Sequence, residues 1–214
     1  MLHGVLDPQP GILAFAIFDD NKLLGEYSLA MHPRDASQVP VFVAEKCAEL
    51  NLELTGITRW SFGSGPGSFT FLRVVAALGA GWAAANDNIR FRCVPGAIAA
   101  AGALKLAENE KAGILYDGRN KEMLCFTIKK VNGVLIPAGE ELILTAPAAL
   151  EYFQKNPMRL AAFPADEAVL KKYLADKVPL EIITPDLSAI AAAPGEFDND
   201  ADKMCYIRPA VTTV

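Results

Sequence analysis

The residue types that could do chemistry are concentrated in a few short stretches. The densest is Gly63-Ser64-Gly65-Pro66-Gly67-Ser68-Phe69-Thr70-Phe71-Leu72-Arg73. A glycine-rich loop opening a helix turns backbone N–H groups toward one point, which suits phosphate or another anion. Gly65, Gly67 and Ser68 are the candidate binding positions. Against this, Pro66 removes one donor and no Walker-type lysine follows. A plainer role stays open, in which the glycines permit a tight turn and Ser68 caps the helix. Asp7 ends a strand before Pro8-Gln9-Pro10-Gly11 and could face a metal-bound nucleotide, or simply hydrogen-bond its own turn. Asp117, Arg119 and Glu122 surround another turn and could hold a ligand or form a local ion-pair cluster.

Other chemistries find little support. His3 and His32 are the only histidines, so a His-rich metal site is excluded. Ser64, Ser68 and the cysteines lack an evident histidine partner for nucleophilic catalysis. His32-Pro33-Arg34 reads as an exposed loop. Cys47, Cys93, Cys125 and Cys205 are widely spaced without a Cys-x-x-Cys pair, which suggests buried free thiols of a cytosolic protein.

The elements that must position these residues belong to an apolar chain. Of 214 residues 52% are hydrophobic and only 21% charged, which excludes intrinsic disorder. The richest apolar run, 74–85, is bounded by Arg73 and Asn86-Asp87-Asn88, too short for the roughly 20 residues of a membrane span. No signal peptide is expected. The net charge is −5 and no basic stripe is present, so direct nucleic-acid binding is not expected.

Strands are expected at 2–6, 12–18 and 23–30, then a helix from a Ser37 cap through Leu50. A strand at 57–62, a helix at 69–85, a strand at 91–95 and an Ala-rich helix at 96–107 follow. A polar stretch near 105–112 marks the boundary between a first domain, 1–108, and a second, 109–214, whose last residues could return to the first. The second half reads as strands at 114–116 and 123–131, an Asn132-Gly133 hairpin and a strand at 134–144. Helices at 147–154, 166–174 and 185–193 alternate with short strands at 160–163 and 180–183. The 69–85 helix is apolar nearly all round, so it is buried on more than one side: either wholly core, or core on one face and a subunit contact on another.

These residues carry a family resemblance. The stretch Gly63–Arg73 resembles the Gly-Arg-Gly-Pro-Gly-Ser-Phe-Thr-Gly-Leu-Arg signature of the TsaB (YeaZ) family. Asp117-Gly118-Arg119-Asn120-Lys121-Glu122 is similar to its Asp-Ala-Arg-x-x-Glu turn, Leu6-Asp7 to its Ile-Asp-Thr-Ser, and Cys205-Tyr206-Ile207-Arg208-Pro209 to its terminal Tyr-Leu-Arg segment. The resemblance implies an α/β, actin-like ASKHA (ribonuclease H-like) fold of two related lobes, akin to M22 glycoproteases. It implies a non-catalytic cytoplasmic partner of a TsaD-like catalytic subunit, acting with a TsaE-like ATPase in threonylcarbamoyladenosine modification of tRNA. ATP and a metal are then expected on the partner, with no metal or catalytic residue here. The family's dimer packs its first two helices, which maps the interface to Val39, Phe42, Val43, Cys47, Phe69, Leu72, Val75, Ala76, Gly79 and Ala83.

The sequence departs from the family at Ser64 (Arg in the family), Phe71 (Gly), Pro8-Gln9 (Thr-Ser) and Ala36 (frequently His). Ser64 removes a charged contact and Phe71 adds bulk at the head of the second interface helix. The rival readings are a diverged paralogue that associates with itself through the same helices, and an actin-like nucleotide-binding enzyme or peptidase.

Overall fold

The computed structural model describes residues 1–32 and 35–204, apart from the side chain of Phe69. It opens with three antiparallel strands, β1 (Leu2–Gln9), β2 (Ile12–Asp19) and β3 (Lys22–Ala30). β1 runs through Pro8 to Gln9, beyond the expected end at residue 6. Past Leu6 it pairs with β2 alone, a place where a strand tolerates proline. A 3-10 turn (Asp35–Ser37) leads directly into α1 (Gln38–Glu49), and the Ser37 side chain makes no capping bond. Then come β4 (Arg59–Gly63), α2 (Phe69–Ala85) and β5 (Arg90–Val94). β4 and β5 run parallel to β1's direction, giving a five-stranded sheet in the order β3-β2-β1-β4-β5.

The sheet is covered by the apolar stripes of both helices. Phe15, Trp60, Phe62 and Phe91 are buried with Val39, Phe42 and Val43 of α1 and with Leu72 and Val75 of α2. Gly4 and Gly79 provide the clearance. A Cβ at Gly4 would lie 2.4 Å from the Trp60 ring, and one at Gly79 would lie 2.3 Å from Phe62 Cε2. Burial of this kind is the main favourable term, at about 25 cal/mol per Å² of apolar surface.

The second half comprises α3 (Ala97–Ala103), β6 (Lys111–Arg119), β7 (Glu122–Val131), β8 (Val134–Pro137), β9 (Leu142–Thr145), α4 (Ala146–Lys155), β10 (Arg159–Ala162), α5 (Glu167–Leu174), β11 (Glu181–Ile182) and α6 (Leu187–Ala192). Two expected elements are corrected. The helix at 96–107 stops at Ala103, because the Leu104 and Lys105 N–H groups bond the Ala101 and Gly102 carbonyls and Lys105 is left-handed (φ 49°). The strand at 134–144 is two strands, β8 and β9, which pair with successive parts of β7 and are separated by Gly139 at φ 103°.

The second sheet runs β11-β10-β6-β7-β8, with β9 also on β7. β10 is parallel to β6, β11 to β10, and β7 antiparallel to β6. Each half therefore places an antiparallel hairpin on one side of a central strand and parallel strands on the other. The contacts divide the chain at Gly96/Ala97, ahead of the sequence boundary at 108/109, and residues 195–204 belong with the first unit. The reason is α3, whose packing partners are α6, β6, β7, β8 and β10 of the second unit. Among the described residues no helix is long and apolar enough to cross a membrane.

Candidate functional site

In the first unit the glycine loop and the end of β1 meet. Asp7 is 1% exposed and Gln9 2%. Gln9 Nε2 donates to Asp7 Oδ2 at 2.5 Å, a side-chain bond within the stretch 7–11 that the sequence reads as a turn. Among the described residues Asp7 Oδ1 and Gln9 Oε1 have no hydrogen-bond partner. A Cβ on Gly63 would lie 1.8 Å from Asp7 Oδ1, one on Gly96 3.1 Å from the same oxygen, and one on Gly67 2.4 Å from the Pro8 carbonyl oxygen. Gly65 is left-handed (φ 99°), and its carbonyl accepts the Gly96 N–H at 2.9 Å. Glycines that could let a phosphate approach the backbone thus let β1 approach it. Burial pushes the Asp7 carboxyl up to about 6, against the lowering effect of the Gln9 hydrogen bond. With Asp7 1% exposed and Gly63 and Gly96 packed against its Oδ1, the carboxylate presents almost no surface to a phosphate or its metal. Ser68 sits at the α2 N-cap position but its side chain makes no cap bond. Ser64 is buried, its N–H bonded to the Val94 carbonyl at 2.7 Å.

A second buried polar group went unread in the sequence. Arg92 Nε donates to Ser61 Oγ at 2.8 Å, and Ser61 Oγ lies 2.9 Å from His3 Nε2. Burial and the cations Arg92 and Arg59 draw His3 down to about 4, so it is neutral and can accept the serine hydroxyl. Arg92 Nη1 reaches the Gly195 carbonyl, and its guanidinium lies 4.5 Å from the Phe197 ring, with Arg59 at 5.3 Å. Ser61 is fully buried, so this His–Ser contact cannot meet a substrate; it anchors the stretch from Gly195 to the sheet. The available signal was polar residues in register on buried strands, Ser61 standing opposite Arg92.

In the second unit, Arg119, Asn120 and Lys121 are all left-handed (φ 60°, 51° and 63°) in the turn between β6 and β7. The Arg119 N–H bonds Asp117 Oδ1 at 2.8 Å, and the Asp117 N–H bonds Asp166 Oδ2 at 3.2 Å. Asp166, from the start of α5, completes this group and was not foreseen. Burial pushes its carboxyl up to about 6; the Asp117 N–H and the Arg119 charge oppose that shift and the Asp117 charge adds to it. Among the described residues no three His, Cys, Asp or Glu side chains gather as metal ligands.

The two helices present faces other than the expected one. Val39, Phe42, Val43, Cys47, Leu72, Val75 and Gly79 are buried in the core, and Ala76 and Ala83 are half-buried. Phe71 is also buried, so its bulk fills the core and not the head of an interface. The outward small and apolar positions include Val41, Ala44 and Ala48 on α1 and Ala77, Ala80, Gly81 and Ala84 on α2, with Val41 57% exposed, and they share those helices' surface with Glu45, Glu49 and Arg73. Helical spacing identified the apolar stripe, but that stripe meets the chain's own sheet. Residues 205–209, which carry the terminal part of the resemblance, and Pro33-Arg34 lie outside the described residues.

Two α/β units with the same strand order define the two-lobed, actin-like ASKHA class of fold. Residues 29–191 match the family model described as "TsaD: tRNA N6-adenosine threonylcarbamoyltransferase", and the chain belongs to that family. Its fold is that of YeaZ. A Pseudomonas aeruginosa protein described as similar to peptidase YeaZ matches with a TM-score of 0.70 at 18% identity, over 89% of this chain and 88% of that one. YeaZ from Pseudomonas aeruginosa matches with a TM-score of 0.67 at 19% identity and the same coverage, 89% and 88%. The activator of 2-hydroxyisocaproyl-CoA dehydratase from Clostridium difficile, described with bound ADPNP, matches at 0.51 and 10% identity, over 90% and 93%. No curated protein matches the sequence.

Proposed function

We propose that this chain is a TsaB-like accessory subunit with no active site of its own, supporting a TsaD-type subunit in threonylcarbamoyladenosine modification of tRNA in the cytoplasm. The observation behind this reading is the sealed end of β1. Where the fold offers a nucleotide site, Asp7 is enclosed by Gln9, Gly63 and Gly96. In this reading ATP and metal chemistry belong to the TsaD-type partner, with a TsaE-like ATPase as the third component, and this chain touches neither nucleic acid nor membrane.

Contact is proposed through the outward faces of α1 and α2, whose alanines and Gly81 allow another helix to come close. Val41 supplies exposed apolar surface there. Burial of that face drives association, less the cost of immobilising two molecules. A second copy of the chain could use the same face, and co-purification separates the two partners.

The test is co-expression with the TsaD-type protein of the same host. The native chain should co-purify with it, and Val41→Asp or Ala80→Arg should weaken the complex about tenfold or more without lowering the thermal midpoint. Val43→Asp is a poor probe, since Val43 is fully buried and a charge there would unfold the core. Failure of the native chain to co-purify, or tight ATP binding abolished by Asp7→Ala, would overturn the reading.

A further inference from the structure

The second unit contains a cavity of about 310 Å³ between the end of α3, the β7–β8 hairpin and α6. It lies at the end of the sheet where Lys111 pairs with Lys129, away from the end where Arg119 pairs with Glu122. We propose that this cavity binds a small organic anion, with a carboxylate or phosphate head group on a short apolar body.

The space exists because its walls are small and held in place. Gly102 brings α3 against α6, since a Cβ there would lie 2.6 Å from Ala189 Cβ. Ala101, Ala189 and Ala192 then leave the volume unfilled. The hairpin wall is fixed by Glu108, whose two oxygens accept the Asn132 and Gly133 N–H groups at 2.6 and 3.1 Å. Small-molecule sites are concavities that combine apolar walls with a few placed polar groups, and the volume of this half-open concavity, with polar and apolar surface in similar measure, is at the low end of their ~300–1,000 Å³ range.

The polar groups decide the ligand class. Lys105 and Lys130 both line the cavity, and among the described residues neither has a carboxylate within ion-pair distance. The left-handed backbone of Lys105 (φ 49°) and the pairing of the Lys130 N–H and carbonyl with Glu110 and Asn109 fix where both chains depart. On a protein of net charge −5, the lining carries two cations against one carboxylate, Asp186, with the Glu108 carboxyl behind the hairpin lowered by its backbone bonds to Gly133 and Asn132 and by the Lys130 charge. Asp186 on another wall is the one lining carboxylate, and its Oδ1 is taken by the N–H and hydroxyl of Ser188. The head group therefore belongs beside the lysines and the apolar body against the alanines.

The test is an amide NMR titration of the full chain with butyl phosphate, valerate and, as a neutral control, butanol. At least one anion should saturate the Gly102, Gly133 and Ala189 signals at roughly millimolar concentration while butanol does not. The tighter of the two anions names the head group. Lys105→Gln and Lys130→Gln should each weaken binding about fivefold or more, as expected for loss of a charge-assisted contact. Ala192→Leu, at an exposed position, should fill the cavity and abolish binding. Shifts that grow without saturating, equal response to butanol, or a dissociation constant unchanged by all three substitutions would overturn the proposal.

Discussion

The two sheets of this molecule are built alike and end differently. Asp7 on β1 and Asp117 on β6 occupy corresponding places near the end of a central strand, opposite Ala14 and Met123 respectively. At Asp7 the strand closes: one hydrogen bond from Gln9, two glycines against the carboxylate and no access for water. At Asp117 the ladder shifts register, and three left-handed residues carry the chain outward to a polar turn. Non-glycine residues in that conformation cost about 1 kcal/mol or more each, so this turn is held by its surroundings, including the Asp166–Asp117–Arg119 chain of hydrogen bonds. One topology thus supports a sealed carboxyl in one unit and, in the other, two half-buried carboxylates joined through a backbone N–H. Of the two strand ends, the second keeps polar groups able to meet a ligand.

The largest test of this contrast is steric. Gly63→Ala would put a Cβ 1.8 Å from Asp7 Oδ1 and 2.5 Å from its Cγ, with the Asp7 Cα at 3.0 Å, so backbone and side chain must both move. The expected loss is about 3 kcal/mol or more in denaturant unfolding. Gly118→Ala in the second unit meets the Glu122 carbonyl oxygen at 3.0 Å and Leu124 Cδ2 at 3.3 Å, a contact that slight relaxation relieves. Its expected loss is about 1 kcal/mol. Equal losses at the two glycines would remove the distinction between a sealed and an open strand end.

The next test is electrostatic. With the Asp7 carboxyl raised from 3.8 to about 6, the native state holds more protons than the unfolded chain between roughly pH 4 and 6. Stability therefore falls as pH rises across that window and is level above it. The total is about 3 kcal/mol at roughly 1.36 kcal/mol per pH unit. His3 works in the opposite sense: lowered from 6.5 to about 4, it removes stability as pH falls through the same range. The two slopes partly cancel in the native protein, so the readout is the difference between Asp7→Asn and wild type. The substituted amide keeps an oxygen for Gln9 and cannot ionise. The variant should gain about 1–3 kcal/mol at pH 7.5 and lose that advantage near pH 4. A pH-independent difference would mean that Asp7 is not sealed.

Much of the architecture was legible in the sequence, and the failures have physical causes. Period and punctuation located α1, α2 and the first three strands, because a buried stripe and a turn each leave a local signature. Periodicity alone does not say what the stripe faces: Val39, Val43, Leu72 and Val75, which the family resemblance mapped to an interface, would show identical spacing whether they faced their own sheet, where they are buried, or a partner. Pro8 and Pro10 read as a break, which hid Gln9, yet Gln9 is the residue that closes on Asp7. Asp166 was invisible beside Asp117 because only β10 lying next to β6 brings the start of α5 to that turn. Contacts that depend on strand order are not written in any short window. His3, Ser61 and Arg92, one from each of three neighbouring strands, are the clearest instance.

The finest test asks whether the two carboxyls respond to their neighbours. Asp7 is raised by burial and opposed only by Gln9, whereas the carboxyl of Asp166 answers to burial, the Asp117 N–H, the Asp117 charge and Arg119. Removing the cation with Arg119→Ala should raise the Asp166 titration midpoint. Removing the like charge with Asp117→Asn should lower it, because that substitution leaves in place the backbone N–H that bonds Asp166 Oδ2. Carboxyl-carbon NMR titration reads both residues in one sample. Asp7 serves as the internal reference in both variants, since burial and the Gln9 hydrogen bond set its midpoint. A fixed Asp166 midpoint in both variants would show that its raised value comes from burial alone.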